Sequence, residues 1–116
     1  MISKELLSIV LGIPLLHIRY NDTTNLYEIF KEDLFNWSDG SYGRWSNLEV
    51  NIYELAHKCK EWAVNLGYIL YSAVHGYECY IDGRSFIDDT PIRFLAESEP
   101  EAIFKACQWI LDKELA

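Results

Sequence analysis

The pair His57 and Cys59, in the stretch AHKC, comes nearest in this sequence to a metal or nucleophile site. Imidazole and thiolate are zinc ligands, and they also form nucleophile–base pairs. The segment has helical periodicity, and residues two apart on a helix point about 200° away from each other. The two side chains therefore cannot share a metal or a proton, and Cys59 is better interpreted as a small core residue. A pair formed across the sheet by Cys79 with His17 or His75 is left open.

Two further patterns suggest chemistry and fail on context. Asp88 and Asp89 are adjacent carboxylates on a polar loop, which lacks the apolar burial that shifts a pKa toward acid–base catalysis. The stretch DGSYGRW has two glycines, but it lacks the lysine and the strand-to-helix context of a phosphate-binding loop. We therefore predict no catalysis, no metal and no cofactor, with an enzyme that uses a central cleft as a minor alternative.

The length and composition indicate one folded domain, residues 1–116. Half of its residues are apolar and 15% are aromatic, which is enough for a hydrophobic core. Eighteen acidic and ten basic side chains give a net charge of -8, so long-range attraction to nucleic acid is absent. Three cysteines without disulfide spacing suit a reducing compartment. The apolar N-terminal run is interrupted by Glu5 and lacks a cleavage site, so we predict a cytoplasmic protein without a signal peptide.

Capping residues mark the starts of all three predicted helices. Ser3 begins a short first helix that Gly12 ends. Asn51 and Glu54 form a capping-box variant at the start of the second, and Gly67 ends it. The apolar stripes predicted to face the core are Leu6, Leu7, Val10 and Leu11 in the first helix and Ile52, Leu55, Ala56, Cys59, Trp62, Ala63 and Leu66 in the second.

The last helix begins at Ser98, which with Glu101 forms another capping box and tolerates Pro100 in the first turn. Its predicted inward face is Ile103, Ala106, Cys107, Ile110 and Leu111. Cys59 and Cys107 both fall on apolar stripes. We therefore predict that both are buried, reduced core residues.

Five strands are predicted from alternating and β-branched or aromatic runs: LLHIRY, NLYEIFK, YILYSAV, YECYI and PIRFLAE. The last three follow one another with short connections, which indicates an antiparallel meander. The predicted fold is α+β, with an antiparallel sheet of about four to five strands covered by helices, in the order α-β-β-α-β-β-β-α.

The segment 34–47 has the Gly, Ser, Asn and Asp of a loop, yet it carries Phe35, Trp37, Tyr42 and Trp45. No helical or strand periodicity is visible in it. Two interpretations are left open: the large aromatics fold back as a satellite core over the sheet, or they are displayed to a partner. Both can hold, with the tryptophans buried and Tyr42 and Arg44 displayed.

The negative charge is concentrated in two segments. Residues 22–49 contain six acidic and two basic side chains, and residues 78–101 contain seven acidic and two basic side chains. If the fold brings these segments together, they form one acidic surface that also holds residue types enriched at protein-binding hot spots. The predicted partner-binding residues are Asp39, Tyr42, Arg44, Asp82, Asp88 and Asp89.

Two stretches, NIYELAHKCKEWAVNLGY and FLAESEPEAIFKACQWIL, resemble a group of small phage and prophage accessory proteins. The pattern is also similar to the phage ABA-sandwich domain, in which helices cover a small sheet. The resemblance spans about residues 48–115 and, more loosely, SKELLSIVLG. It implies a phage-encoded accessory protein, brings no catalytic motif, and does not extend over the insert 32–47.

The resemblance, the acidity and the lack of a catalytic motif together suggest an inhibitor of a host defence protein. It would be of the anti-CRISPR or a related anti-defence type. An acidic face can occupy a basic nucleic-acid-binding surface and gain fast association from electrostatic steering. We predict such a host partner, with no direct binding of nucleic acid or membrane. The alternative is a structural or accessory phage protein that acts by self-association or assembly.

Overall fold

The computed structural model describes residues 2–32, 43–72, 78–83 and 92–115. Within these residues the elements follow the order α-β-β-β-α-β-β-β-α, with a 3-10 turn before the first strand. They are α1 (Lys4–Leu11), the 3-10 turn (Leu15–His17), β1 (Ile18–Asn21), β2 (Leu26–Glu32), β3 (Gly43–Asn47), α2 (Ile52–Asn65), β4 (Tyr68–Ser72), β5 (Glu78–Gly83), β6 (Ile92–Leu95) and α3 (Glu99–Leu115).

The helices begin and end where the capping residues predict. The Ser3 hydroxyl accepts a hydrogen bond from the Leu6 amide at 3.1 Å, and Gly12 ends α1 in the left-handed conformation. The Asn51 side chain accepts from two amides in the first turn of α2. The Ser98 hydroxyl accepts from the Glu101 amide at 3.4 Å at the start of α3. These side chains satisfy amide donors that a helix leaves unpaired at its N-terminus.

The strands form two antiparallel sheets of three strands each, in the orders β1-β2-β3 and β4-β5-β6. The predicted antiparallel α+β class and the meander of the last three strands are confirmed. The prediction of one sheet with four to five strands is wrong, and so is the element order, which lacked β3. Alternation shows that a segment is a strand but does not show which strands pair, so separate meanders look like one sheet in sequence.

Residues 43–47, predicted as part of an aromatic loop, form the edge strand β3. Trp45 lies opposite Phe30 on β2, and Lys31 lies opposite Arg44. A side chain at Gly43 would collide with the Phe30 ring and with the carbonyl of Lys31, so the strand starts with the residue that permits this approach. One apolar residue among polar neighbours gives too little alternation to reveal the strand from sequence.

Strand β1 is shorter than predicted at its start. Residues 15–17 form a 3-10 turn after Pro14, closed by a hydrogen bond from the His17 amide to the Pro14 carbonyl at 2.8 Å. Leu16, which was placed in the strand alternation, is 88% exposed in this turn. Proline fixes the backbone for a turn, and this local effect outweighs the alternation of the residues that follow.

One hydrophobic core lies between the helices and the two sheets. Helices α2 and α3 pack against each other and cover the second sheet, whereas α1 packs against β1 of the first. The predicted inward faces of α1 and α3 are buried or partly buried as expected. Ile52 is the exception among the stripe residues of α2, because it is 43% exposed. In the described part of the chain, no helix combines the length and apolarity needed to cross a membrane.

Candidate binding surfaces

The second sheet has one face under helices and one face in solvent. Its buried face includes Tyr68, Leu70, Cys79 and Ile81, which pack in the core. Residues that alternate with them point the other way, as strand geometry requires. We call this exposed set the open face; its members are Ile69, Tyr71, Glu78, Tyr80, Asp82, Arg93 and Leu95.

Apolar and aromatic side chains make up much of the open face. Ile69 is 60% exposed, Leu95 52% and Tyr71 42%. The rings of Tyr71 and Tyr80 stack with their centroids 5.3 Å apart, on strands β4 and β5, where the two residues lie directly opposite. Several large apolar side chains left in water on one sheet face are typical of a protein-binding surface.

A polar chain of contacts fixes the centre of the open face. Glu78 accepts hydrogen bonds from the Tyr80 hydroxyl and from the Arg93 guanidinium, both at 2.6 Å. The hydrogen bond to Glu78 raises the pKa of the Tyr80 hydroxyl, because it holds the proton against a carboxylate. These contacts hold the Tyr71–Tyr80 stack and Arg93 in one arrangement before any partner binds.

Two of the six predicted partner-binding residues lie in the described part of the chain. Asp82 is exposed on β5, in register with Ile69, and belongs to the open face. Arg44 is exposed on β3, in the other sheet. Asp39, Tyr42, Asp88 and Asp89 lie outside the described residues, as do Phe35 and Trp37. The joining of both acidic segments into one surface therefore stays a prediction.

The first sheet presents a smaller aromatic surface, which we call the Trp45 face: Arg19, Glu28, Phe30 and Trp45. The Arg19 guanidinium lies 4.2 Å from the centre of the Trp45 ring, and its Nε donates to Glu28 at 2.8 Å. Phe30 packs against Trp45 with ring centroids 5.5 Å apart. Trp45 is half-buried in this cluster rather than fully buried or fully displayed.

The opposite side of the same hairpin carries two cations that sequence reasoning did not single out together. Lys31 and Arg44 occupy paired positions on β2 and β3, and both are exposed. Neither has an ion-pair partner among the described residues. Like charges at paired positions repel each other, and the β2–β3 hairpin places these two cations side by side although the chain is acidic overall. Arg44 thus lies beside a second cation, on a different sheet from Asp82.

The cysteines lie in the core, whereas His17 lies in the 3-10 turn and His57 on the exposed side of α2; His75 lies outside the described residues. Cys59, Cys79 and Cys107 are buried free thiols, which confirms the prediction for Cys59 and Cys107. Burial raises the pKa of Cys79 to about 11, which disfavours the reactive thiolate. His57 is exposed, and its Nε2 lies 2.9 Å from Oε1 of Glu61 on the same helix. Cys59, by contrast, is fully buried.

A hydrogen bond involving Cys59, followed by burial, also raises the pKa of Cys107, whose Sγ lies 3.5 Å from the Cys59 carbonyl oxygen. The thiol of Cys107, like that of Cys79, is thus held in the protonated form that suits a core. Within the described ranges, no three His, Cys, Asp or Glu residues come together as a metal site would require.

The open face had a signal in the sequence that was not used. The four successive residues YILY in β4 are all apolar or aromatic. A strand that is covered on a single face needs an apolar residue at every second position and no more. The surplus residues, Ile69 and Tyr71, are those left in solvent.

A comparison with known proteins found no matching family model, no similar curated protein and no similar solved structure.

Proposed function

We propose that this protein is a non-enzymatic binding module that attaches to another protein through the open face of its second sheet. The observation that carries the proposal is the exposure of Ile69, Tyr71 and Leu95 on a sheet whose other face packs against the core. Covering these side chains would remove apolar surface from water, which is the main driving force of association. The stacked tyrosines and Arg93 are residue types that dominate binding energy at interfaces.

A basic partner fits this surface best. Asp82 stands exposed on the open face, and the connection that follows β5 contains Asp88 and Asp89. With the start of α3, this part of the sequence has seven acidic residues against two basic ones. Acidic side chains such as Asp82 beside an apolar surface attract a positively charged partner and speed its association.

The finer proposal is an inhibitor of a host defence protein, encoded by a phage. It is supported by the resemblance of residues 48–115 to small phage accessory proteins and by the overall charge of -8. An acidic module that covers a basic nucleic-acid-binding groove would block that groove without any catalytic step. The small size, the acidity and this mode of action together fit an inhibitor of the anti-CRISPR or a related anti-defence class.

A second candidate function is self-association or assembly, and the apolar character of the open face favours it. Ile69, Tyr71 and Leu95 could equally meet the same side chains of a second copy. The acids work against this arrangement, because two copies that each carry a charge of -8 repel. Self-association should therefore strengthen as salt rises, whereas binding of a basic partner should weaken.

The test begins with capture of partners from a host lysate, followed by association kinetics with the purified partner at several salt concentrations. Asp82→Lys should slow association and reduce its salt dependence while the melting temperature stays unchanged. Glu61→Lys is the matched control, since it makes the same charge change on the exposed side of α2 and should leave association nearly unchanged. The pair Asp88→Lys and Asp89→Lys should act in the same direction as Asp82→Lys.

Binding that ignores salt and the three reversals, in variants that remain folded, would contradict the acidic-surface proposal. A concentration-dependent dimer in sedimentation, unaffected by Asp82→Lys but broken by Tyr71→Ala, would favour self-association instead.

A further inference from the structure

A cleft of about 270 Å³ lies where the first sheet meets the helices, away from the open face. Its walls come from five places in the chain: the start of α1, the β1–β2 turn with β2, the connection after β3, and the first turns of α2 and α3. The lining residues are Ile2, Leu7, Asn25, Leu26, Tyr27, Leu48, Val50, Ile52, Leu55, Glu101 and Phe104. Apolar walls with a few polar groups are typical of a small-molecule site, and this volume suits a fragment-sized ligand.

Two apolar side chains in this cleft are left partly in water. Ile52 belongs to the inward stripe of α2, and yet it is 43% exposed, while Leu26 on β2 is 46% exposed. Both are lining residues of the cleft. The first sheet and the helices thus do not close on each other here, and a ligand that filled the gap would bury both side chains.

The polar groups of the cleft are two neutral side chains and one carboxylate. The Tyr27 hydroxyl already donates to the Ile2 carbonyl at 2.7 Å, and the Asn25 side-chain oxygen accepts from the Tyr20 hydroxyl at 3.0 Å. Glu101, in the first turn of α3, is the charged lining residue, and no lining residue is basic.

A second carboxylate acts on the same place. Burial and then the charge of Glu5, in the first turn of α1, raise the pKa of the Tyr27 hydroxyl on the cleft wall. Two carboxylates near an apolar cleft favour a ligand that brings a positive charge along with its apolar body.

From this geometry we infer that the cleft binds a small amphipathic cation, an organic ammonium whose apolar body contacts Leu26 and Ile52 while its charge faces Glu101. This inference goes beyond the proposed protein-binding function, because it uses a different surface and different residues. A ligand of this kind would also join the first sheet to α2 and α3, since its contacts come from all three.

The experiment uses three matched probes in an NMR titration of the full chain: phenethylammonium, 2-phenylethanol and 3-phenylpropionate. The ammonium should shift the amides of the cleft residues and bind more tightly than the alcohol, and the carboxylate should bind most weakly. Glu101→Gln should lower the affinity for the ammonium by about fivefold and leave that for the alcohol unchanged, because a charge-assisted contact becomes a neutral one.

The matched control is Glu54→Gln, which changes the corresponding capping-box position of α2 outside the cleft and should leave all three affinities unchanged. Leu26→Trp should fill the cleft and abolish binding of every probe. Ile52→Trp is a second filling variant at a position of similar exposure, for use if the first does not fold. Shifts scattered over the surface, equal affinity for the three probes, or a Glu101→Gln variant that keeps the preference for the ammonium would overturn the inference.

Discussion

The two sheets have the same design and different support. Each is a three-stranded antiparallel meander, and each carries an arginine–glutamate pair beside aromatic rings on its exposed side: Arg19 with Glu28 in the first sheet and Arg93 with Glu78 in the second. The second sheet lies on two long helices, whereas α1, with 8 residues, is the helix that packs on the first through β1. Cys79 and Ile81 are fully buried in the second sheet, while Ile29 of the first is only partly buried.

This difference shows that similar strand patterns do not imply similar contributions to stability. Burial of apolar surface provides most of the stabilisation, and helices supply the surface that buries a strand. The second sheet is thus stabilised by the core. The first depends more on contacts within the sheet, such as the stack of Arg19 on Trp45.

The largest expected effect is that of truncating an isoleucine in each sheet. Ile81→Ala removes a side chain with 0% exposure and should lower the free energy of unfolding by about 4 kcal/mol. Ile29→Ala removes the same atoms from a partly buried site and should cost about 1–2 kcal/mol. Urea denaturation of both variants gives the comparison. Equal losses would mean that the first sheet is buried as firmly as the second.

A smaller effect concerns pH, and it separates Cys79 in the second sheet from Tyr27 in the first. The folded protein holds the Cys79 proton up to a pKa of about 11, whereas the unfolded chain releases it nearer to its ordinary value. The protonated Cys79 thiol therefore makes its full contribution to the free energy of unfolding below pH 9. This contribution, about 2 kcal/mol, is lost as the pH rises toward 11. Burial and Glu5 raise the pKa of Tyr27 in the same direction.

Denaturation curves measured from pH 7 to 11 check this prediction. Cys79→Ala should flatten the fall in stability at high pH, and Tyr27→Phe, the matched variant of the first sheet, should flatten it less. The opposite ranking would show that the first sheet carries the more strongly perturbed group.

The smallest effects are expected for Trp45→Ala and Tyr71→Ala, which compare the Trp45 face with the open face. A fully buried tryptophan would cost about 3–5 kcal/mol on truncation, but Trp45 is half-buried and should cost about 1–2 kcal/mol. Tyr71→Ala on the open face is the comparison, and its loss of stability should be smaller still, because Tyr71 is 42% exposed. A partner that binds through the open face should lose affinity with Tyr71→Ala and keep it with Trp45→Ala; the reverse would move the interface to the first sheet.

Helix ends and helix faces were readable from sequence because their causes are local. Ser3, Asn51 and Ser98 cap their helices through side chains that reach amides two or three positions away. The stripes of α1 and α3 follow from the 3.6-residue period, so burial of Cys107 needed no knowledge of distant contacts. Ile52 breaks the pattern since its surroundings depend on how closely the first sheet approaches α2.

Tertiary structure decided the pairing of strands, and with it the surfaces. Strand β3 pairs with β2 through backbone groups that every residue possesses, so nothing in GRWSN identified its partner. The same holds for the exposure of Ile69 and Tyr71: the sequence determined that these apolar residues alternate with Tyr68 and Leu70, but only the placement of α2 and α3 determined which set is covered. Local hydrogen bonding and periodicity are properties of a few neighbouring residues, whereas burial is a property of the whole chain.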